Sequence, residues 1–162
     1  MQNLKIKTLL LFFVMAPVSS WALDSDRTAK IIIQGPGCKT KLKDNQTECL
    51  KGLTIEQGSL LIKSTYGLIK HQDKGIGSVL MRGNQVYMEQ LMEDKDKMVI
   101  KANEIDYQKA AEKVFLSGNV SITSSIGVTT GENLEFDLKT QEIISSGESS
   151  QPFRMEIDQK DD

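Results

Sequence analysis

Apolar and polar residues alternate along most of this chain. The clearest stretch, Phe115 to Leu138, reads FLSGNVSITSSIGVTTGENLEFDL. Val120 and Ile122, Ile126 and Val128, then Leu134, Phe136 and Leu138 are apolar, with polar residues between them. A period of two sends successive side chains to opposite faces of a strand, so the pattern predicts β-strands with one face buried. The same period recurs at Leu53/Ile55, Leu60/Ile62, Val86/Met88 and Met98/Ile100. Polar or glycine-bearing turns punctuate it at Gln57-Gly58, Glu93-Asp94-Lys95-Asp96 and Gly131-Glu132-Asn133. Lys109-Ala110-Ala111-Glu112-Lys113 is the best helical fragment, but it is far too short to nucleate and reads as a turn. Pro36 and Pro152 interrupt no expected strand. The expectation is ten to fourteen antiparallel strands, little helix and one domain over residues 23–162.

A loose internal repeat accompanies the strands. Gly52-Leu53, Gly83-Asn84 and Gly118-Asn119 each open a unit of strand, turn, strand and polar turn, and Gly147 closes the series. The units read as successive hairpins. Antiparallel strands of this kind bury one face and wet the other. Leu53, Ile55, Leu60, Ile62, Val86, Met88, Met98, Ile100, Ile105, Tyr107, Val120, Ile122, Val128, Leu134 and Phe136 fall on the inner face. Thr54, Glu56, Lys63, Tyr87, Glu89, Lys101, Asp106, Ser121, Thr123, Glu135 and Asp137 fall on the outer one.

Composition sharpens this in one respect. Aromatic residues are only 6% of the chain, so the inner face is lined mainly by methyl groups. A closely packed sandwich recruits more large rings; two facing sheets that do not fully close fit the bias better. The net charge of −2 and the lack of a dense basic cluster disfavour nucleic acid as a partner.

The first 22 residues differ from the rest. Lys5 and Lys7 precede an apolar run from Leu9 to Ala16, Pro17 breaks it, and Ser20-Trp21-Ala22 places small residues at −3 and −1 of a cleavage point. This is the pattern of a cleavable secretory signal peptide, and the run is too short to span a bilayer comfortably. Export places Cys38 and Cys49 in an oxidising compartment, where a structural disulfide is expected. A redox site would want a C-x-x-C spacing. A zinc site needs more ligands than His71, the single histidine, can add.

Catalytic chemistry has no foothold. No nucleophile triad can be assembled around one histidine, Glu104 and Asp106 read as surface carboxylates, and no glycine-rich phosphate loop runs from a strand into a helix. No catalytic residue, metal or cofactor is therefore assigned.

The phrases FLSGNVSIT, KGLTIEQGSLLIKS and IKANEIDYQKAAEKVFLSGNV resemble the lipopolysaccharide-transport protein A family, also described as OstA-like. Gly83-Asn84 and Gly118-Asn119 match the family's strand start, Gly52-Leu53 matches it without the asparagine, and Ala102-Asn103-Glu104-Ile105-Asp106-Tyr107 matches its strand end. The resemblance runs from about Ile31 to Gly147. Cys38 and Cys49, with Lys39, Lys41 and Lys43 between them, depart from the pattern.

The resemblance implies an open, twisted antiparallel β-jelly roll in the periplasm. Its apolar groove, here the fifteen inner-face residues named above, would hold the acyl chains of lipopolysaccharide. Protomers would meet end to end, and also meet jelly-roll domains of the inner-membrane and outer-membrane transport components. Ile31, Ile32 and Ile33 near one terminus and Ile143 and Ile144 near the other are the expected assembly edges, followed by a last segment at Phe153–Ile157. A reading from another class is a secreted structural or inhibitory β-protein that binds a partner through a sheet edge and carries no lipid.

Overall fold

In a computed structural model of the chain, the described residues are 26, 28–73, 75–92, 95–137, 140, 142–145 and 152–157. The expected signal peptide lies outside them. Among the described residues twelve strands follow in order: β1 (Ile32–Gln34), β2 (Cys38–Lys41), β3 (Gln46–Cys49), β4 (Leu53–Gln57), β5 (Leu60–Ser64), β6 (Tyr66–Gln72), β7 (Gly75–Leu91), β8 (Lys97–Gln108), β9 (Lys113–Ser124), β10 (Gly127–Asp137), β11 (Ile143–Ser145) and β12 (Arg154–Glu156). Leu42–Asp44 and Lys109–Ala111 form single 3₁₀ turns. The strand count lies within the expected range, and the architecture is the expected all-β one.

All strand pairs are antiparallel, and the long strands share one feature. In β7, β8, β9 and β10 the ladder slips at the same level. The register breaks between Arg82 and Val86 in β7, between Lys101 and Glu104 in β8, and between Gly131 and Asn133 in β10. In β9 the matching residues are Gly118 and Asn119, with φ +77° and +50°. Extra residues in a ladder bend the strand and increase its twist. Three register breaks in a row, running across four strands, therefore fold the sheet along a line.

Further along the sheet the chain turns the same corner with loops instead of bulges. β5 pairs with residues 87–89 of β7 and β6 with residues 75–82, so Thr65 between them lies on the fold line. Thr65 donates there from both N and Oγ1 to the carbonyl of Arg82, at 3.2 and 3.1 Å. β4 pairs with β5 and β3 with β6; β1 pairs with β4 and β2 with β3.

Two half-sheets result. The first contains β2, β3, β6, the first part of β7, the ends of β8 and β10 (104–108 and 133–137), the start of β9 (113–117) and β11. The second contains β1, β4, β5, the rest of β7, β8, β9 and β10, and β12. Their inner faces meet in one apolar core, in which Ile69, Met81, Val86, Ile100, Ile105 and Leu116 are essentially inaccessible. The half-sheets approach closely where Gly67 of β6 packs on Leu53 of β4. A Cβ on Gly67 would overlap the Leu53 side chain, so this corner needs glycine.

Three expectations are corrected by the bulges. Gly131-Glu132-Asn133 is no turn; it lies inside β10, and the turn is at Ser125-Ile126. Gly83-Asn84 and Gly118-Asn119 do not open hairpins; they sit in the middle of continuous strands β7 and β9. Val128 is not an inner-face residue. The bulge shifts the side-chain parity of β10 by one, so Thr129 (3% exposed) is buried and Val128 is only partly so.

The Cys38–Cys49 disulfide is present. It joins directly opposed residues of β2 and β3, with a Cα–Cα distance of 4.0 Å. The lysine-bearing segment between the cysteines is a regular hairpin, β2, 3₁₀ turn, β3, and Asn45 (φ +49°) closes its turn.

Candidate functional site

The core does not fill the space between the half-sheets. Along the fold line Val86, Ala102, Leu116, Val120 and Leu134 flank the register breaks at 3% exposure or less, and they do not line the cavity. Toward the free lips the half-sheets separate around an open cavity of about 460 Å³. The second half-sheet contributes Ile55, Leu60, Ile62, Met88 and Met98 to its wall, and the first contributes Ile76, Val79, Met81, Ile105, Tyr107, Val114 and Phe136. Its volume is that of an ordinary small-molecule or lipid site. Its walls are aliphatic and thioether groups, which bind by non-directional burial, and Met88, Met92 and Met98 are adaptable in shape.

The rim is polar. Gln57, Gln90, Lys109 and Glu112 border the opening, the last two on the 3₁₀ turn and residue that follow β8. Burial raises the Tyr107 hydroxyl above the usual tyrosine range, and the Glu112 carboxylate raises it further. At the far end of β4, Asp26 caps the β4–β5 turn: it accepts from Ser59 N at 3.1 Å and from Ser59 Oγ, and Ser59 Oγ in turn accepts from Leu91 N at 3.0 Å.

The residues expected to form the groove fall into three groups. Ile55, Leu60, Ile62, Met88, Met98, Ile105, Tyr107 and Phe136 line the cavity. Leu53, Val86, Ile100, Val120, Ile122 and Leu134 are buried but pack in the closed core. Val128 lies on neither surface. The sequence reading missed Val79, Met81 and Val114, and the contiguous runs that contain them explain why. In Ile76-Gly77-Ser78-Val79-Leu80-Met81 the apolar residues are adjacent, so no period marks which face is inner. The rim residues Lys109 and Glu112 carry no sequence signal at all.

The outer face is charged and paired. Glu89 accepts from Tyr87 Oη and from Lys97 Nζ (3.1 Å), and these two contacts hold its carboxyl below the usual range. Lys113 pairs with Glu135, and Arg82 with Glu104. Among the described residues no cluster of three or more His, Cys, Asp or Glu could hold a metal. His71, half-buried on β6, is hydrogen-bonded to Thr47, Oγ1 to Nε2 at 2.8 Å, with Thr40 bonded to the same hydroxyl at 2.9 Å.

Among the described residues, no strand pairs with the outer side of either end of the sheet. β1 and β2 form one edge and β11 and β12 the other. Ten large apolar residues are exposed among those described, and nine lie in or beside the outermost strands: Ile31, Ile32, Leu42 and Leu50 at one end, and Ile126, Ile144, Phe153, Met155 and Ile157 at the other. Only Phe115 is elsewhere. Of the expected edge residues, Ile31 borders the cavity, Ile33 and Ile143 pack partly on the core, and Ile32 and Ile144 are each 45% exposed.

An antiparallel sheet folded on itself, open along its lips and at both ends, defines a β-jelly roll of the trough type. Residues 37–142 match the family described as the LptA/(LptD N-terminal domain) LPS transport protein. The chain belongs to that family. Among solved structures it is similar to LptH, the LptA-homologous periplasmic component of the lipopolysaccharide transport device of Pseudomonas aeruginosa. The two share 21% identity, with a TM-score of 0.73 over 83% of this chain and 99% of LptH. No curated protein matches.

Proposed function

We propose that this protein is a periplasmic lipopolysaccharide carrier that holds acyl chains in the cavity between its half-sheets and joins like domains end to end, bridging the inner and outer membranes. The cavity carries the proposal. A methylene left in water costs about 0.8 kcal/mol, so a chain of a dozen carbons costs roughly 10 kcal/mol to expose. An aliphatic slot open along its length removes most of that cost and lets a bulky polar head remain outside. The family is one of lipopolysaccharide transport, and the fold is that of a periplasmic component, LptH. The exposed apolar residues gathered at the two sheet edges support addition of neighbouring jelly-roll domains, both further copies and the domains of membrane-bound transport components. The function is binding and transfer, without catalysis.

Purification of the exported protein, followed by lipid extraction and mass spectrometry of both lipid and protein, tests the proposal. The expected result is a mature chain beginning at Leu23 with lipopolysaccharide bound. A chain that assembles by its edges but never carries lipid would support the partner-binding β-protein instead. A chain retaining residues 1–22 would mark a membrane-anchored component.

A further inference from the structure

Among the described strands, the pair β2–β3 at the N-terminal edge is the one that a disulfide holds. All four residues of β2 are exposed, and the strand pairs with β3 alone. It buries no side chain that would anchor it. What holds it is a four-residue ladder, the Thr40–Thr47 hydroxyl contact and the Cys38–Cys49 bond. The ladder leaves definite groups free. Leu50 N donates to Gly37 O, which makes 37/50 a hydrogen-bonded pair. Alternation then turns the backbone N–H and C=O of Cys38 and Thr40 outward, into solvent.

The other end offers a matching strand. Asp137 N donates to Glu142 O at 2.9 Å, so the same alternation turns the backbone groups of Ile143 outward from β11. Both strands belong to the first half-sheet, so joining them continues one sheet and one inner face from copy to copy. Charge favours this pairing over an edge meeting its own kind. Residues 30–51 carry five lysines against two acids, while residues 148–162, which include β12, carry five acids against two bases. On the outer face, Lys39 and Lys41 of β2 would lie beside Glu142, which adjoins β11. The contact is head to tail and therefore open-ended.

We infer that β2, kept in place by the Cys38–Cys49 disulfide, is the acceptor edge for β11 of a second copy of this chain, so that self-association depends on the disulfide being oxidised. The inference rests on the end-to-end reading above and adds to it the strand pair and a redox requirement. A dithiol reductant releases the edge: the S–S bond breaks, Cys38 and Cys49 take up two electrons and two protons, and the reductant's two sulfurs join. β2 then keeps only a short exposed ladder, too little to present an ordered template.

Sedimentation velocity of the full mature chain, oxidised and dithiothreitol-treated, at low and high salt, tests this, alongside Thr40→Pro, which removes one outward N–H together with the Thr40–Thr47 contact and keeps the disulfide, and Thr40→Val, which removes the contact alone and should associate like the parent. The oxidised chain should associate, more strongly at low salt. The reduced chain and Thr40→Pro should associate at least tenfold more weakly, each with an unchanged far-ultraviolet circular dichroism spectrum. Equal association of reduced and oxidised chains, or of Thr40→Pro and the parent, overturns the inference and leaves end-to-end assembly standing. Loss of the spectrum on reduction also overturns it, since the bond would then hold the whole domain. An oxidised chain that stays monomeric at both salts overturns the end-to-end reading, and this inference with it.

Discussion

The fold line and the lips of the trough are built from the same inner-face residues, yet one is closed and the other open. Along the fold line the register of three strand pairs breaks at one level, and Val86, Ala102, Leu116 and Val120 are buried there without lining the cavity. At the lips the half-sheets have diverged, and Met88, Met98, Ile62 and Phe136 face a cavity instead of one another. An apolar stripe is thus both core and binding surface, and its distance from the bulges decides which.

Truncation at the two places should separate them most strongly. Leu116→Ala truncates a side chain that is only 1% exposed and should cost about 2–5 kcal/mol in urea unfolding. Met98→Ala enlarges a cavity that already exists and should cost roughly 1 kcal/mol, while weakening acyl-chain binding. Equal costs would mean that the lips are as tightly packed as the fold line.

A smaller loss is expected from the bend itself. Gly118 has φ +77° and lies against Asn103, so Gly118→Val meets both a disfavoured backbone region and a side chain. It should cost about 1–3 kcal/mol. Calorimetric melting would show it, and an unchanged melting temperature would remove the bulge band as the cause of the fold.

The smallest effect lies in alkaline titration. Burial raises Tyr107 and Tyr66 above the ordinary value of 10.0, and the hydrogen bond to Glu89 raises Tyr87. The native state therefore keeps protons that the unfolded chain releases. That stability is fully present below pH 10 and is lost as pH rises through the native values. Ultraviolet absorbance at the phenolate band should show late ionisation of the native tyrosines, later still when lipid further dehydrates Tyr107. Ordinary titration of Tyr107 would contradict the burial of the cavity wall.

The strands and the inner face were legible in the sequence because a half-buried antiparallel strand must alternate. The bulges were not. Gly118-Asn119 and Gly131-Glu132-Asn133 carry the residues of a turn, and a left-handed glycine serves a turn or a bulge equally well. Only the partner strand tells them apart. The error at Val128 follows directly, because a bulge shifts parity for every residue beyond it. β2 was missed as a strand because an edge that buries nothing leaves no apolar period to read. The cavity was legible only as a shortage of rings. Whether two facing sheets close depends on their angle, which the bulges set and the alternation does not record.

Site-specific photo-crosslinking to lipopolysaccharide in intact cells asks directly whether acyl chains occupy the trough. A photoreactive residue at Ile55, Met88 or Phe136, all on the cavity wall, should capture the lipid, whereas Glu56 and Asp137, the outward neighbours on the same strands, should not. Equal capture on both faces, or capture at Glu56 and Asp137 alone, would show that lipid travels outside the half-sheets.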